Sequence, residues 1–381
     1  MKYFIIAGEA SGDMHAAALM QELKRLDPGA VFRFLGGDRM LTVAGDGLVV
    51  HYRDMAFMGF VNVLMNYGKI KNNFRLAEKA LLDYQPDAVV LVDYPGFNLR
   101  MARFVKVHTQ IPVFYYIAPK LWAWKAYRIH DMKKYVDHLL TIFPFETEFF
   151  ARHNYPVHYV GNPSLDAIEY YRRNHPVEEL SFRDRHKLGS GPLLALLPGS
   201  RQQEVSACLP IMLHAAAEFS DYLPVIAGAP GLDESFYRDL LPYSDFRVIF
   251  DETYELLDCS VAAVVNSGTA TLETALLGTP QVVVYHVKAA RLASFLRKWV
   301  IKIPWVSLVN ILSGKEVVTE LVAHEFTEAR LVKAIDALLH EKKTRTKIQQ
   351  GYHELREQLG ESGAATRTAA YIIEKLTEKN Q

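Results

Sequence analysis

The sequence predicts an α/β chain of two domains, each built on a parallel sheet. Three observations lead there. Short apolar runs recur, each ended by a small polar turn and followed by a helical pattern. One stretch shows the whole unit: Val261–Val265 reads as a strand, Asn266 to Thr269 as a turn, and Ala270–Leu277 as a helix stopped by Gly278 and Pro280. Gln281–Tyr285 then supplies a second strand, which completes a βαβ unit. Finally, charge crowds between Glu169 and Gly191, with Arg172, Arg173, Arg183 and Arg185 set among Glu178, Glu179 and Asp184. That shift predicts domains at 1–168 and 192–343, a linker at 169–191, and C-terminal helices at 344–381. Those helices either return to the first domain or exchange with a second copy in a homodimer.

The totals bound the function. A chain of 381 residues has ample core for two domains. Lys+Arg and Asp+Glu both number 43, so no overall field points to nucleic acid. Two distant cysteines, Cys208 and Cys259, argue for a reducing compartment without a disulfide framework. The opening apolar run is short and broken by Glu9, unlike a signal peptide. No run approaches the roughly 20 apolar residues of a membrane span. The expectation is a cytoplasmic protein that at most lies on a membrane.

In order, Tyr3–Ala7 is a strand, Gly8-Glu9-Ala10-Ser11-Gly12-Asp13 its turn, and a helix follows to Leu26. The turn lacks the Gly-Lys-Ser/Thr of a phosphate loop and the three spaced glycines of a dinucleotide site. It reads as a backbone nest for a sugar or phosphate, or as a plain tight turn. Val31–Leu35 is the next strand. Phe57, Phe60, Val61, Leu64 and Tyr67 fall at helical spacing, with Lys69 and Lys71 just after. This stripe is either a core helix or one lying in a membrane interface. Ala88–Val92 delivers Asp93 to the carboxyl end of a strand, where ligands of open α/β sheets bind. Asp93 is a candidate general base or a cap for the next turn. After the strand Val113–Ile117, Trp122 and Trp124 form either a wall for a sugar or lipid or a packing surface between domains. Leu139–Phe143 is a further strand, followed by Pro144-Phe145-Glu146.

In the second half, Leu193–Leu197 runs into Pro198-Gly199-Ser200-Arg201 and a helix from Gln203. Arg201 either clamps a diphosphate or pairs with Glu204. The turn at Ser267, Gly268, Thr269 and Ala270 offers a helix N-terminus to a phosphate. Glu273, one turn in, reaches a neighbouring sugar hydroxyl or is simply a helix-start carboxylate. Two helix N-termini and Arg201 thus converge on one anion. There is no Asp-x-Asp, His-x-x-x-His or Cys-x-x-Cys, so neither a metal nor another cofactor is expected.

These residues together resemble a known family. Gly8 to Asp13, Asp93-Tyr94-Pro95, Phe97-Asn98, Pro119 with Trp122-Ala123-Trp124, and Phe143 to Glu146 match motifs of the lipid-A-disaccharide synthases. So do Pro198 to Arg201 with Glu204-Val205, Ser267-Gly268-Thr269 with Leu272-Glu273, and Val306-Ser307-Leu308 with Asn310. The resemblance covers almost the whole chain. It implies a GT-B architecture, two Rossmann-like domains with a cleft between, and an inverting glycosyltransferase of lipid A biosynthesis in Gram-negative bacteria. The implied donor is UDP-2,3-diacylglucosamine, the acceptor 2,3-diacylglucosamine 1-phosphate (lipid X), and the bond β-1,6. It implies Asp93 as base, Arg201 and Ser267 to Ala270 on the diphosphate, Glu273 on the ribose, and Asn310 holding the donor. Both lipids would be met at the inner leaflet of the inner membrane, which suits the stripe from Phe57. Asn162 stands where the family has His, Val309 where it has Pro, Val322 where it has Gln, and Gly96 where it has Asp. The alternatives are another GT-B enzyme on UDP-N-acetylglucosamine (a 2-epimerase or the peptidoglycan transferase), or a non-catalytic UDP-sugar or lipid binder.

Overall fold

A computed structural model describes residues 1–55, 67–122, 126–175, 178–241, 246–287 and 304–379. The chain divides into two compact units, residues 1–166 with 361–381, and residues 167–360.

The first unit runs β1 (Lys2–Ala7), α1 (Ala10–Leu26), β2 (Val31–Gly36), α2 (Asp38–Ala44), β3 (Leu48–His51), α3 (Tyr67–Tyr84), β4 (Ala88–Val92) and α4 (Pro95–His108). It continues with β5 (Val113–Tyr116), β6 (His138–Thr141), α5 (Pro144–Ala151), β7 (His158–Tyr159) and α6 (Pro163–Asn174), the last of which carries the chain out of the unit. All seven strands are parallel, in the order β3-β2-β1-β4-β5-β6-β7. Residues 3–7 of β1 and all of β4 are buried, as expected of strands covered on both faces.

The second unit runs α7 (Glu179–His186), β8 (Leu193–Leu197), α8 (Gln202–Ala217), β9 (Leu223–Ala227), β10 (Arg247–Ile249), α9 (Thr253–Asp258), β11 (Ser260–Asn266) and α10 (Thr269–Leu277). Then follow β12 (Gln281–Tyr285), α11 (Leu308–Ser313), β13 (Glu320–Val322) and α12 (Lys342–Leu359). Its six parallel strands are ordered β10-β9-β8-β11-β12-β13. Each sheet therefore reverses its winding once, between β1 and β4 and between β8 and β11. Such reversals open a crevice at the carboxyl ends of the strands.

The charged stretch read as a linker is largely helical. Arg173 pairs with Glu169 at 3.1 Å and Arg183 with Glu179 at 2.8 Å, both one turn apart. Not all of its charge faces solvent: the Arg183 side chain, 12% exposed, also donates to the Gly189 and Gly191 carbonyls at 2.6 and 3.0 Å. Composition alone mistakes these charged helices for a link.

The two C-terminal helices part company. In α12, Tyr352 accepts from the Gln281 amide (3.0 Å) and the Gln349 amide donates to the Gly278 carbonyl (2.9 Å), so it stays on the second unit. The final helix, α13 (Ala364–Lys379), packs on α1 in the first. The Asp166 carboxylate caps it, accepting from the N–H groups of Gly363, Ala364 and Ala365 at 2.6, 3.1 and 3.0 Å. Of the predicted stripe, Phe57, Phe60, Val61 and Leu64 lie outside the described residues. Tyr67 opens α3, on which Lys69 and Lys71 are exposed.

Candidate active site

The sequence-predicted residues gather at the two reversals. At the first, β4 ends on Asp93 and Tyr94, both left-handed, with φ of 45° and 46°. Two consecutive non-glycine residues in that region cost energy, and the surroundings hold them there. The Asp93 carbonyl accepts from the Tyr115 hydroxyl (2.5 Å) and the Asn98 amide (2.7 Å). The Tyr94 hydroxyl donates to the Met55 carbonyl at 2.6 Å. The elbow presents a half-buried Asp93 side chain. Burial lifts its carboxyl above the usual range, while Lys120 and the Tyr94 N–H work against that rise. A raised carboxyl is better matched to proton abstraction near neutrality.

Gly8, beside this elbow at the end of β1, is not left open for a ligand. A Cβ there would lie 2.2 Å from the Tyr94 ring, so the glycine makes room for the tyrosine. Glu9 occupies the position before α1, and Ser11 is exposed in its first turn. Gly12 seats that turn on β1, where a Cβ would come 3.4 Å from Ala7. Asp13 is buried and caps α2, accepting from Gly37, Arg39 and Met40 at 2.7, 3.1 and 3.2 Å. Much of this motif therefore serves packing and capping.

At the second reversal, Gly199 (φ 127°) brings the turn against Glu204 and Asn266, where a Cβ would lie 2.7 and 2.9 Å away. Glu204 accepts from the Ser200 N–H and from Arg201, both at 3.1 Å. The N-terminal turn of α8 thus holds its own carboxylate, and the Arg201 pairing weighed from sequence is present. The start of α10 differs. No side chain caps it among the described residues, and its first turn has no acid. With no side chain on its first N–H groups among the described residues, this one of the two helix starts is the more open to an anion.

Ser267 cannot use its own groups there in this geometry. Its N–H donates to Val284 (2.9 Å) and its hydroxyl to Val306 (2.8 Å), which leaves Gly268 to Ala270 for an anion. Glu273 is half-buried and accepts from the Tyr254 hydroxyl of α9; burial raises its carboxyl. The Asn310 side chain is fully used. Its amide donates to the Val318 carbonyl and to Glu320, both 2.9 Å, and its oxygen accepts from Val317 and Val318 at 2.8 and 3.0 Å. Glu320 also accepts from Val306 and Ser307 N–H at 2.8 and 3.0 Å. Asn310 and Glu320 thus fix the segment on which Ser267 rests. Asn162 likewise accepts from the Ser164 N–H at 2.9 Å, a cap for α6.

Sequence reasoning missed Glu320, Tyr254 and a cavity of about 340 Å³ at the ends of β9 and β10, lined by Gly228 to Glu234, Phe250 and Asp251. The signal for the cavity was the Gly-Ala-Pro-Gly turn after β9. Among the described residues no cluster of His, Cys, Asp or Glu has metal-binding geometry.

A family model described as lipid-A-disaccharide synthetase matches residues 3–375. The chain belongs to the lipid-A-disaccharide synthase family. It is therefore a glycosyltransferase. The lipid-A-disaccharide synthase of Syntrophus aciditrophicus is 38% identical over 97% of this chain and 96% of its own length. Those of Myxococcus xanthus and Nitrosococcus oceani are 37% and 35% identical over 98% of this chain, and 97% and 96% of their own lengths. Among solved structures, UDP-GlcNAc 2-epimerase from Neisseria meningitidis bound to UDP-GlcNAc superposes with a TM-score of 0.67 at 14% identity, covering 99% of this chain and 100% of that one. The calicheamicin glycosyltransferase CalG4 gives 0.59 at 16% identity, covering 99% and 98%. At such identities these likenesses speak to fold alone, and the fold is GT-B. No helix among the described residues is long and apolar enough to cross a membrane.

Proposed function

We propose that this synthase-family enzyme transfers 2,3-diacylglucosamine from UDP-2,3-diacylglucosamine to the 6-hydroxyl of 2,3-diacylglucosamine 1-phosphate, with inversion. One observation carries the assignment of roles. An elevated carboxyl stands at one sheet reversal, and an uncapped helix N-terminus stands at the other. The N–H groups of Gly268 to Ala270 and the Arg201 guanidinium take the diphosphate, and Glu273 takes the ribose hydroxyls. Asn310 acts indirectly, by holding the segment under Ser267. The uracil occupies the cavity beside Phe250. Asp93 accepts the 6-hydroxyl proton as that oxygen bonds the anomeric carbon and the carbon–oxygen bond to UDP breaks. Electrostatic stabilisation of departing UDP is the larger task. The stripe from Phe57 to Tyr67, with Lys69 and Lys71, meets acyl chains at the inner leaflet of the inner membrane.

The test is UDP release in detergent micelles, without added metal, with and without the acceptor. Acceptor-dependent release with a tetraacyl disaccharide 1-phosphate product is expected. Conversion of donor without acceptor would replace this reading with an epimerase. Retained turnover in Asp93→Asn would remove that residue from the role of base.

A further inference from the structure

Glu146 is a fully buried carboxylate with two separate tasks. One oxygen accepts from the Ile142 and Phe143 N–H groups, both at 3.1 Å, and closes the first turn of α5. The other oxygen accepts the indole Nε1–H of Trp122, also at 3.1 Å. A glutamate at this helix position ordinarily bonds back to the N-cap N–H, and one oxygen does so here. Burial pushes the carboxyl up to about 7. The second oxygen is not used by the cap; it is spent on Trp122.

Trp122 follows β5, and β5 pairs directly with β4, with Tyr116 opposite Val92. Asp93 is the next residue after Val92, so the indole loop leaves the sheet beside the strand that carries the base. The Trp122 ring stands edge-on to Phe145, with centroids 5.0 Å apart and planes at 81°. Phe145 in turn stacks with Phe143 at 5.9 Å and 10°. Trp122 and Phe145 are each half-buried, so part of this aromatic cluster faces outward. The C–H-rich face of a pyranose suits the negative face of an aromatic ring. An indole offers that face usefully only if its tilt is fixed, and an N–H held by a buried carboxylate fixes it.

We propose that Glu146 is a positioning residue for the acceptor: it holds the Trp122 indole as the platform on which the acceptor's glucosamine ring lies beside Asp93. This rests on the acceptor reading above. Donor binding belongs to the other unit and does not involve this pair.

The experiment is a double-mutant cycle on acceptor kinetics. Trp122→Phe keeps an aromatic ring but loses the N–H. Glu146→Gln can turn its oxygen to the Ile142 and Phe143 N–H groups, so it keeps the cap and loses the indole bond. Each is expected to raise the acceptor KM about five- to tenfold, with kcat falling far less and UDP affinity unmoved. The double variant should be no worse than either single, because both remove the same bond. Effects that multiply, or an acceptor KM unmoved in both singles, would overturn the platform. If Glu146→Gln fails to fold, Trp122→Phe still decides by its KM against kcat. Wild-type protein is measured first: no acceptor-dependent product there would sink the acceptor reading itself, whereas normal wild-type product with unmoved variants sinks only the platform.

Discussion

At Asp93, backbone strain and the proposed proton transfer meet in one residue. The left-handed pair Asp93-Tyr94 holds the carboxyl at the sheet reversal, and burial lifts its affinity for protons. Replacing it by Asn should lower kcat about 10²- to 10⁴-fold and leave UDP affinity unchanged, as steady-state kinetics and calorimetry would reveal. The sign of the pH effect follows. A base works ionised, so activity is present above its pKa and is lost on acidification at a higher pH than for an ordinary aspartate. His15 makes a separate prediction. Burial first, then Arg39, lowers its imidazole to about 4, so it is neutral in the fold while an unfolded chain would protonate it near 6.5. Stability is complete above the unfolded value and is lost as pH falls towards 4, by on the order of 3 kcal/mol. In His15→Gln, urea titrations across that window should show a flatter dependence. At this scale the positions of Asp93 after a strand and Glu273 near a helix start were legible, because strand ends and helix starts are visible in a pattern. The sequence could not expose that Ser267 spends its polar groups on the distant Val284 and Val306, or that Asn310 spends its own on the nearby Val317, Val318 and Glu320, because neither pairing leaves a periodic pattern.

At the scale of elements, the sheets were legible because their strands are buried on both faces and read as plain apolar runs, such as Ala88–Val92 and Leu193–Leu197. Strand order was not, since it depends on long-range pairing. The close packing of turns against one another was also hidden. Gly8 looks like a ligand-binding glycine in sequence but accommodates Tyr94, from the turn after β4, far along the chain. Gly8→Ala should therefore destabilise the protein by about 1–3 kcal/mol, and the elbow should shift with it. Denaturant midpoints measure the first, and a fall in kcat larger than any change in UDP affinity marks the second. An alanine variant of unchanged stability and turnover would separate Gly8 from the elbow.

For the whole molecule, the decisive feature is that the first unit is discontinuous. Residues 361–381 complete it, with α13 packed on α1 and capped by Asp166. Thr366 donates to Glu22 of α1 at 2.9 Å, and His138 meets the Tyr371 hydroxyl at 3.1 Å. A fragment of residues 1–166 should melt at a lower temperature than the same fragment joined by a short linker to 361–381, and circular dichroism on the two would decide. Equal melting would show α13 to be dispensable. The sequence announced C-terminal helices from about residue 344 but could not say that the chain changes unit at Gly360, one helix on either side. During synthesis the arrangement imposes an order of events. The first unit emerges from the ribosome early but must wait, with the α1 face uncovered, while all of residues 167–360 are made. At cellular elongation rates that wait is about 10–40 s, which leaves this face open to a nascent-chain chaperone.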